Sequence, residues 1–310
     1  MTRSPAPVTH AFSTPSAPTI EVERVVSDVV TPKLAQWLAD LGNAIPRVLG
    51  DADDEAVHDL RVSLRRIRSL LRIVRPVYGR FYVDVIRNGL RQVAHATGSL
   101  RDEEVLHETL EALALDPAHR QAIAPWLVRR TQRERMLRRS VVRMLDSRAL
   151  DPPVYQLRAL LQLPVAPHRD KEVHRFARQV VLDAQLVVDA RRADLSVNDV
   201  VGMHNLRIAY KRLRYAVEAF SRVLPPELRS WGNVAARFQK VLGSLHDHDV
   251  AIQVVERVTA MPDAARIALI EALRERRRQI ADEYVKLSGP DYLQAHARAE
   301  AQPPVPESSS

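Results

Sequence analysis

The chain has 310 residues, 46% of them hydrophobic, enough to bury one sizeable core or two fused ones. It contains no cysteine, which excludes disulfides and thiolate metal sites; no apolar run approaches the roughly 20 residues of a membrane span, and Met1 to Ile20 lacks a signal-peptide core, so a cytoplasmic location is expected. A net charge of +8 predicts attraction to polyanions, and only five of the 46 basic residues are lysine, which favours the planar fork that arginine offers to phosphate.

Residues 1–20 are rich in Pro, Ser and Thr and read as a disordered tail, as do residues 299–310. Between them glycine is scarce, proline falls between periodic segments, and no stretch sustains period-two alternation, so the expected class is all-α. Helices are predicted near 22–48, 54–78, 80–97, 101–114, 118–146 and 152–162. Pro164 and Pro167 mark a join, and further helices follow near 168–193, 199–223, 227–243, 247–260 and 263–287. Residues 21–298 thus form one domain with repeat halves of about 21–163 and 168–298.

One pattern occurs twice. His58 is followed by Arg61, Arg65, Arg66 and Arg68, and His204 by Arg207, Lys211, Arg212 and Arg214, at the same spacings. At 100° per residue, His58, Arg61, Arg65, Arg68 and Arg72 share an arc of about 80°, beside a second arc of Leu60, Leu64, Ile67 and Leu71. His204, Arg207, Lys211 and Arg214 repeat the basic stripe, with Glu218 where Arg72 stands. Arg66 and Arg212 lie about 80° from their histidines on the opposite flank. A basic stripe is usually a solvated helix face, but such faces mix signs. Here acids are nearly absent, and stacked arginines pay repulsion that an anion would relieve.

About forty residues after each histidine comes a second repeated segment, Gly98-Ser-Leu-Arg101-Asp102 and Gly243-Ser-Leu-His246-Asp247. A glycine that ends one helix and an aspartate that caps the next is the structural reading of Asp102 and Asp247. The functional alternative is that each aspartate orients an arginine of the neighbouring stripe. Arginines also crowd 129–143 and 266–278, where they face solvent, pair with acidic neighbours or add to the positive field.

Other chemistries fit poorly. Consecutive residues of His246-Asp247-His248-Asp249 point about 100° apart on a helix, so they cannot converge on one metal ion unaided. Phosphate-binding loops and nucleophile elbows are absent, as is any need for a cofactor. Nucleic acid is the main rival ligand, yet single-strand binders stack bases on aromatics, and only Tyr215 lies close to a stripe.

The paired His-Arg helices, each followed by a Gly-x-Leu-x-Asp segment, resemble the CHAD domain, the conserved histidine α-helical domain. The resemblance implies two helical bundles related by a pseudo-two-fold axis, with the His-Arg helices lining a shared basic groove or pore. It also implies non-catalytic binding of inorganic polyphosphate and association with polyphosphate granules. The binding residues would be His58, Arg61, Arg65, Arg66, Arg68, Arg72, His204, Arg207, Lys211, Arg212 and Arg214.

Overall fold

Apolar residues at three- and four-residue spacing build helices throughout the computed structural model, which describes residues 24–50, 55–193 and 195–289. Ten helices follow one another among these residues: α1 (Val26–Leu49), α2 (Glu55–Ile73), α3 (Arg75–Tyr78), α4 (Arg80–Glu111), α5 (Pro117–Asp146), α6 (Asp151–Gln162), α7 (Val173–Arg192), α8 (Val200–Phe220), α9 (Pro226–Glu256) and α10 (Asp263–Ser288). The all-α class is as expected. The predicted tails, 1–20 and 299–310, lie outside the described residues.

The long helices run in the same order in each half: α1, α2, α4 and α5, then α7, α8, α9 and α10. Their starts are tied together, since Val26 N–H donates to the Lys171 carbonyl (2.9 Å) and Val173 N–H to that of Arg24 (3.1 Å). Caps from the sequence open several of them. Asp116 accepts from Ala118 N–H, Glu172 from His174 and Arg175 N–H, and Asp199 from Gly202 N–H. Pro76, which has no N–H to donate, divides the predicted 54–78 helix into α2 and α3.

The larger correction concerns the predicted breaks at Gly98 and Gly243. The segments 80–97 and 101–114 are one helix, α4, and 227–243 and 247–260 are one helix, α9. Asp102 and Asp247 therefore cap nothing. The reason is the apolar seam, which crosses the glycine without losing register. Leu90, Val93, Thr97, Leu100, Leu106 and Leu110 are all buried along α4, as are Ala235, Phe238, Leu242, Leu245 and Val255 along α9. Burial at about 1.5–3 kcal/mol per large side chain outweighs the roughly 1 kcal/mol that an interior glycine costs.

Leu60, Leu64, Ile67 and Leu71 give α2 one fully buried face, and Leu206, Tyr210, Leu213 and Phe220 do the same for α8. Tyr210 stacks on Phe238 of α9, with ring centroids 4.5 Å apart. A second apolar cluster clamps the far ends of the halves, where Leu106 and Leu110 of α4 and Trp126 of α5 meet Val255 of α9 and Leu269 and Leu273 of α10. Between the two cores α2 touches α8 and α4 touches α9. The basic stripes are held on either side of that meeting line.

Candidate functional site

A cavity of about 550 Å³ opens where α2, α4, α8 and α9 meet. From α2 it is lined by His58, Arg61, Arg65 and Arg68, and from α8 by Arg207 and Lys211. Its other wall carries Thr97, Arg101 and Asp102 of α4 with His246 and Asp247 of α9. A second depression of about 210 Å³ shares Arg65, Arg68 and Lys211 and adds Arg72, Arg87, Arg212 and Tyr215. Together they make a basic groove lined by Arg61, Arg65, Arg68 and Arg72 of the first stripe and by Arg207 and Lys211 of the second.

The cations in this groove are poorly compensated. Lys211 is pushed down to about 8 by burial and by Arg65, Arg207, Arg61 and Arg68. Arg72 is lowered to about 10 by burial, Arg212 and Arg87. Burial also lowers Arg61, helped by Arg65 and opposed by Asp102 and Glu104, and it lowers Arg68, helped by Arg87 and Arg91. The Nε atoms of Arg65, Arg68 and Arg207 are buried and have no hydrogen-bond partner among the described residues. A buried donor left unpaired costs about 1–3 kcal/mol, and each is a place where an anionic oxygen would recover that cost.

The repeated glycines stand beside these guanidinium groups. A Cβ at Gly98 would lie 4.0 Å from Arg61 Nη1, and one at Gly243 would lie 3.9 Å from Arg207 Nε. Alanine would just fit at either position, whereas a longer side chain would enter the space the arginine occupies. Arg61 also donates to the Thr97 carbonyl. Asp102 and Asp247 make no hydrogen bond or ion pair among the described residues. They act on Arg61 and Arg207 through their field alone, and burial raises Asp247 despite Arg207, His248 and Arg101.

Three of the predicted residues are placed elsewhere. Arg66 pairs with Glu218 at 3.0 Å and lies over the Trp37 ring, so the glutamate that interrupts the second stripe serves as its partner. Arg214 approaches Gln239 of α9 at 3.5 Å and is not among the groove-lining residues. His204 is not on the cavity wall; its Nδ1 lies 3.2 Å from Nδ1 of His246, which is. His58 is exposed at the mouth.

Arg87, Arg101 and His246 were missed as groove residues. The signal for Arg101 and His246 was their shared place in the Gly-x-Leu-x-Asp segments; for Arg87 it was the four-residue step to Arg91. Outside the groove, acidic residues of α4 and α9 hold the arginines of the long outer helices. Glu103 takes Arg130 and Arg133, both at 2.7 Å, and Asp249 takes Arg277 at 2.5 Å. The crowded arginines of α5 and α10 thus serve partly to lock the scaffold behind the groove.

The described residues form an all-helical chain in which the two His-Arg helices, α2 and α8, touch. The CHAD domain model matches residues 33–256, and the chain belongs to the CHAD domain family. It is similar to two solved structures: the CHAD domain from the plant Ricinus communis, with 22% identity, a TM-score of 0.67 and coverage of 94% of this chain and 98% of that one; and PptA from Streptomyces chartreusis, with 19% identity, a TM-score of 0.67 and coverage of 88% and 99%. Among curated proteins it is 28% identical over 274 residues to the uncharacterized protein MT2285 of Mycobacterium tuberculosis, and likewise to Rv2226 of the same species. The chain spans about half the length of these curated relatives, 82% of it aligning with 48% of each. Among the described residues, no helix is long and apolar enough to cross a membrane.

Proposed function

We propose that the groove binds linear inorganic polyphosphate without catalysis, in the cytoplasm, and thereby brings the chain to polyphosphate granules. The observation that carries this reading is the set of half-buried arginines Arg65, Arg68 and Arg207, whose buried Nε atoms lack hydrogen-bond partners among the described residues, amid cations that repel one another. A phosphate chain supplies oxygen acceptors at close intervals, with roughly one charge per phosphate, and makes no demand for base recognition.

Nucleic acid fits the same charge but not the surface. Among the described residues along the two depressions, the only Phe, Tyr or Trp ring is Tyr215, which is 8% exposed and offers no open face for a base to stack on. The test is competition between labelled long-chain polyphosphate and single-stranded RNA across a salt series. Contacts from Arg61, Arg65, Arg68, Arg72, Arg207 and Lys211 predict a slope of about −4 in log affinity against log salt, at about −0.7 per contact. Polyphosphate should displace RNA at equal charge concentration. RNA competing equally per charge would refute the assignment.

A further inference from the structure

One difference between the two halves on the cavity wall is at Arg101 and its counterpart His246. Arg101 of α4 is permanently charged and anchored by Glu104 (3.4 Å) and Glu108 (2.9 Å), whereas its counterpart on α9 is His246. His246 lies against His204 of α8, ring centroids 4.5 Å apart and the two Nδ1 atoms 3.2 Å apart. At that separation one Nδ1 carries a hydrogen and the other accepts it. The pair can therefore be neutral, or hold one extra proton as a hydrogen-bonded imidazole–imidazolium. Two extra protons would set N–H against N–H. His246 Nε2 has no protein partner among the described residues.

The surroundings decide which state is present. Facing the pair from α8 are Arg207 and Lys211, and the same cavity holds Arg61 and His58 of α2 and Arg101 and Asp102 of α4. On α9 itself Asp247 and Asp249 oppose them, but Asp249 is committed to Arg277. The balance is cationic. Burial, Arg207 and His204 push His246 down to about 4, and burial, Arg207 and Lys211 lower His204.

We infer that the His204–His246 pair is a proton-dependent phosphate contact, so that the second half of the groove takes up a proton when a polyanion enters while the first half, with Arg101, does not. The inference rests on the polyphosphate reading above. Burial and the field of Arg207 keep the pair neutral; an anion beside Arg207 opposes that field, and the monocation it favours presents an N–H to a phosphate oxygen. Binding and protonation then strengthen each other. If the bound complex returns His246 to the ordinary histidine value of about 6.5, affinity should rise about tenfold between pH 7.5 and pH 5.5.

The test measures long-chain polyphosphate binding at pH 7.5 and pH 5.5 for the native chain, H246Q and H246R, with proton uptake read by calorimetry in buffers of different ionisation enthalpy. Long chains keep the titrating terminal phosphates a negligible fraction. The expected results are a tenfold response and net proton uptake in the native chain, a response below threefold in both variants, and tighter binding at pH 7.5 in H246R than in the native chain. A response that persists undiminished in both variants does not arise from His246 and overturns the inference. A native chain that binds with no pH response overturns it too, leaving the groove reading standing. A native chain that binds no polyphosphate at either pH removes both.

Discussion

Replacing Lys211 with methionine should stabilise the empty protein and weaken it as a binder. Lys211 is held among Arg65, Arg207, Arg61 and Arg68, and its fall from 10.5 to about 8 corresponds to about 3 kcal/mol spent on keeping it charged, at about 1.4 kcal/mol per pKa unit. The folded value lies below the unfolded one, so the penalty is complete below pH 8. Stability should rise with pH from about 8 to 10.5, where the unfolded chain binds the extra proton, and the penalty is gone above that window. Lys211→Met keeps most of the stem's volume and removes the charge. At pH 7 the variant should melt about 5 °C higher than the native chain, and the gap should close as pH approaches 10.5. Polyphosphate should narrow the gap at pH 7. At a hundred times its dissociation constant it should stabilise the native chain by about 2.7 kcal/mol. The variant should bind about tenfold more weakly, having lost one charge-assisted contact. It therefore gains only about 1.4 kcal/mol from the same ligand concentration, which narrows the gap to about 1.7 kcal/mol. Thermal melts across pH, with and without polyphosphate, read both effects. A variant less stable than the native chain at pH 7, or one protected equally by polyphosphate, would refute the view that this groove holds unrelieved charge for an anion.

Arg66 pairs with Glu218 and both side chains remain about a third exposed. Arg66→Ala should therefore change polyphosphate affinity by less than about twofold and stability by less than about 1 kcal/mol, as binding titrations and urea unfolding would show. Glu103 is 5% exposed and holds Arg130 and Arg133. Glu103→Ala should cost about 3 kcal/mol in denaturant unfolding, at the low end for a broken buried pair because Arg133 is already 57% exposed. Its effect on affinity at a temperature where it is folded should be small.

The sequence made the stripes legible because a helix converts spacing into direction. Arg61, Arg65 and Arg68 do face the groove, and the 80° offset of Arg66 marked a side chain that the structure turns to Glu218. The glycines misled because local punctuation competes with tertiary burial. Gly98 and Asp102 look like the end of one helix and the start of another, and only the continuous seam of Leu90, Val93, Leu100 and Leu106 decides otherwise. Arg87, Arg101 and His246 were hidden for a different reason. Their roles depend on which face of α4 and α9 meets α2 and α8, and that is set by packing between helices far apart in the chain. The pairing of His204 with His246 across 42 residues is of the same kind.

The most direct test of the groove replaces Arg61, Arg65, Arg207 and Lys211 together with glutamine and measures polyphosphate binding at 0.15 M salt, with circular dichroism confirming the helical fold. Removing four of six contacts should lower affinity at least a hundredfold and shrink the salt slope from about −4 to about −1. A folded quadruple variant that binds polyphosphate like the native chain would contradict the account.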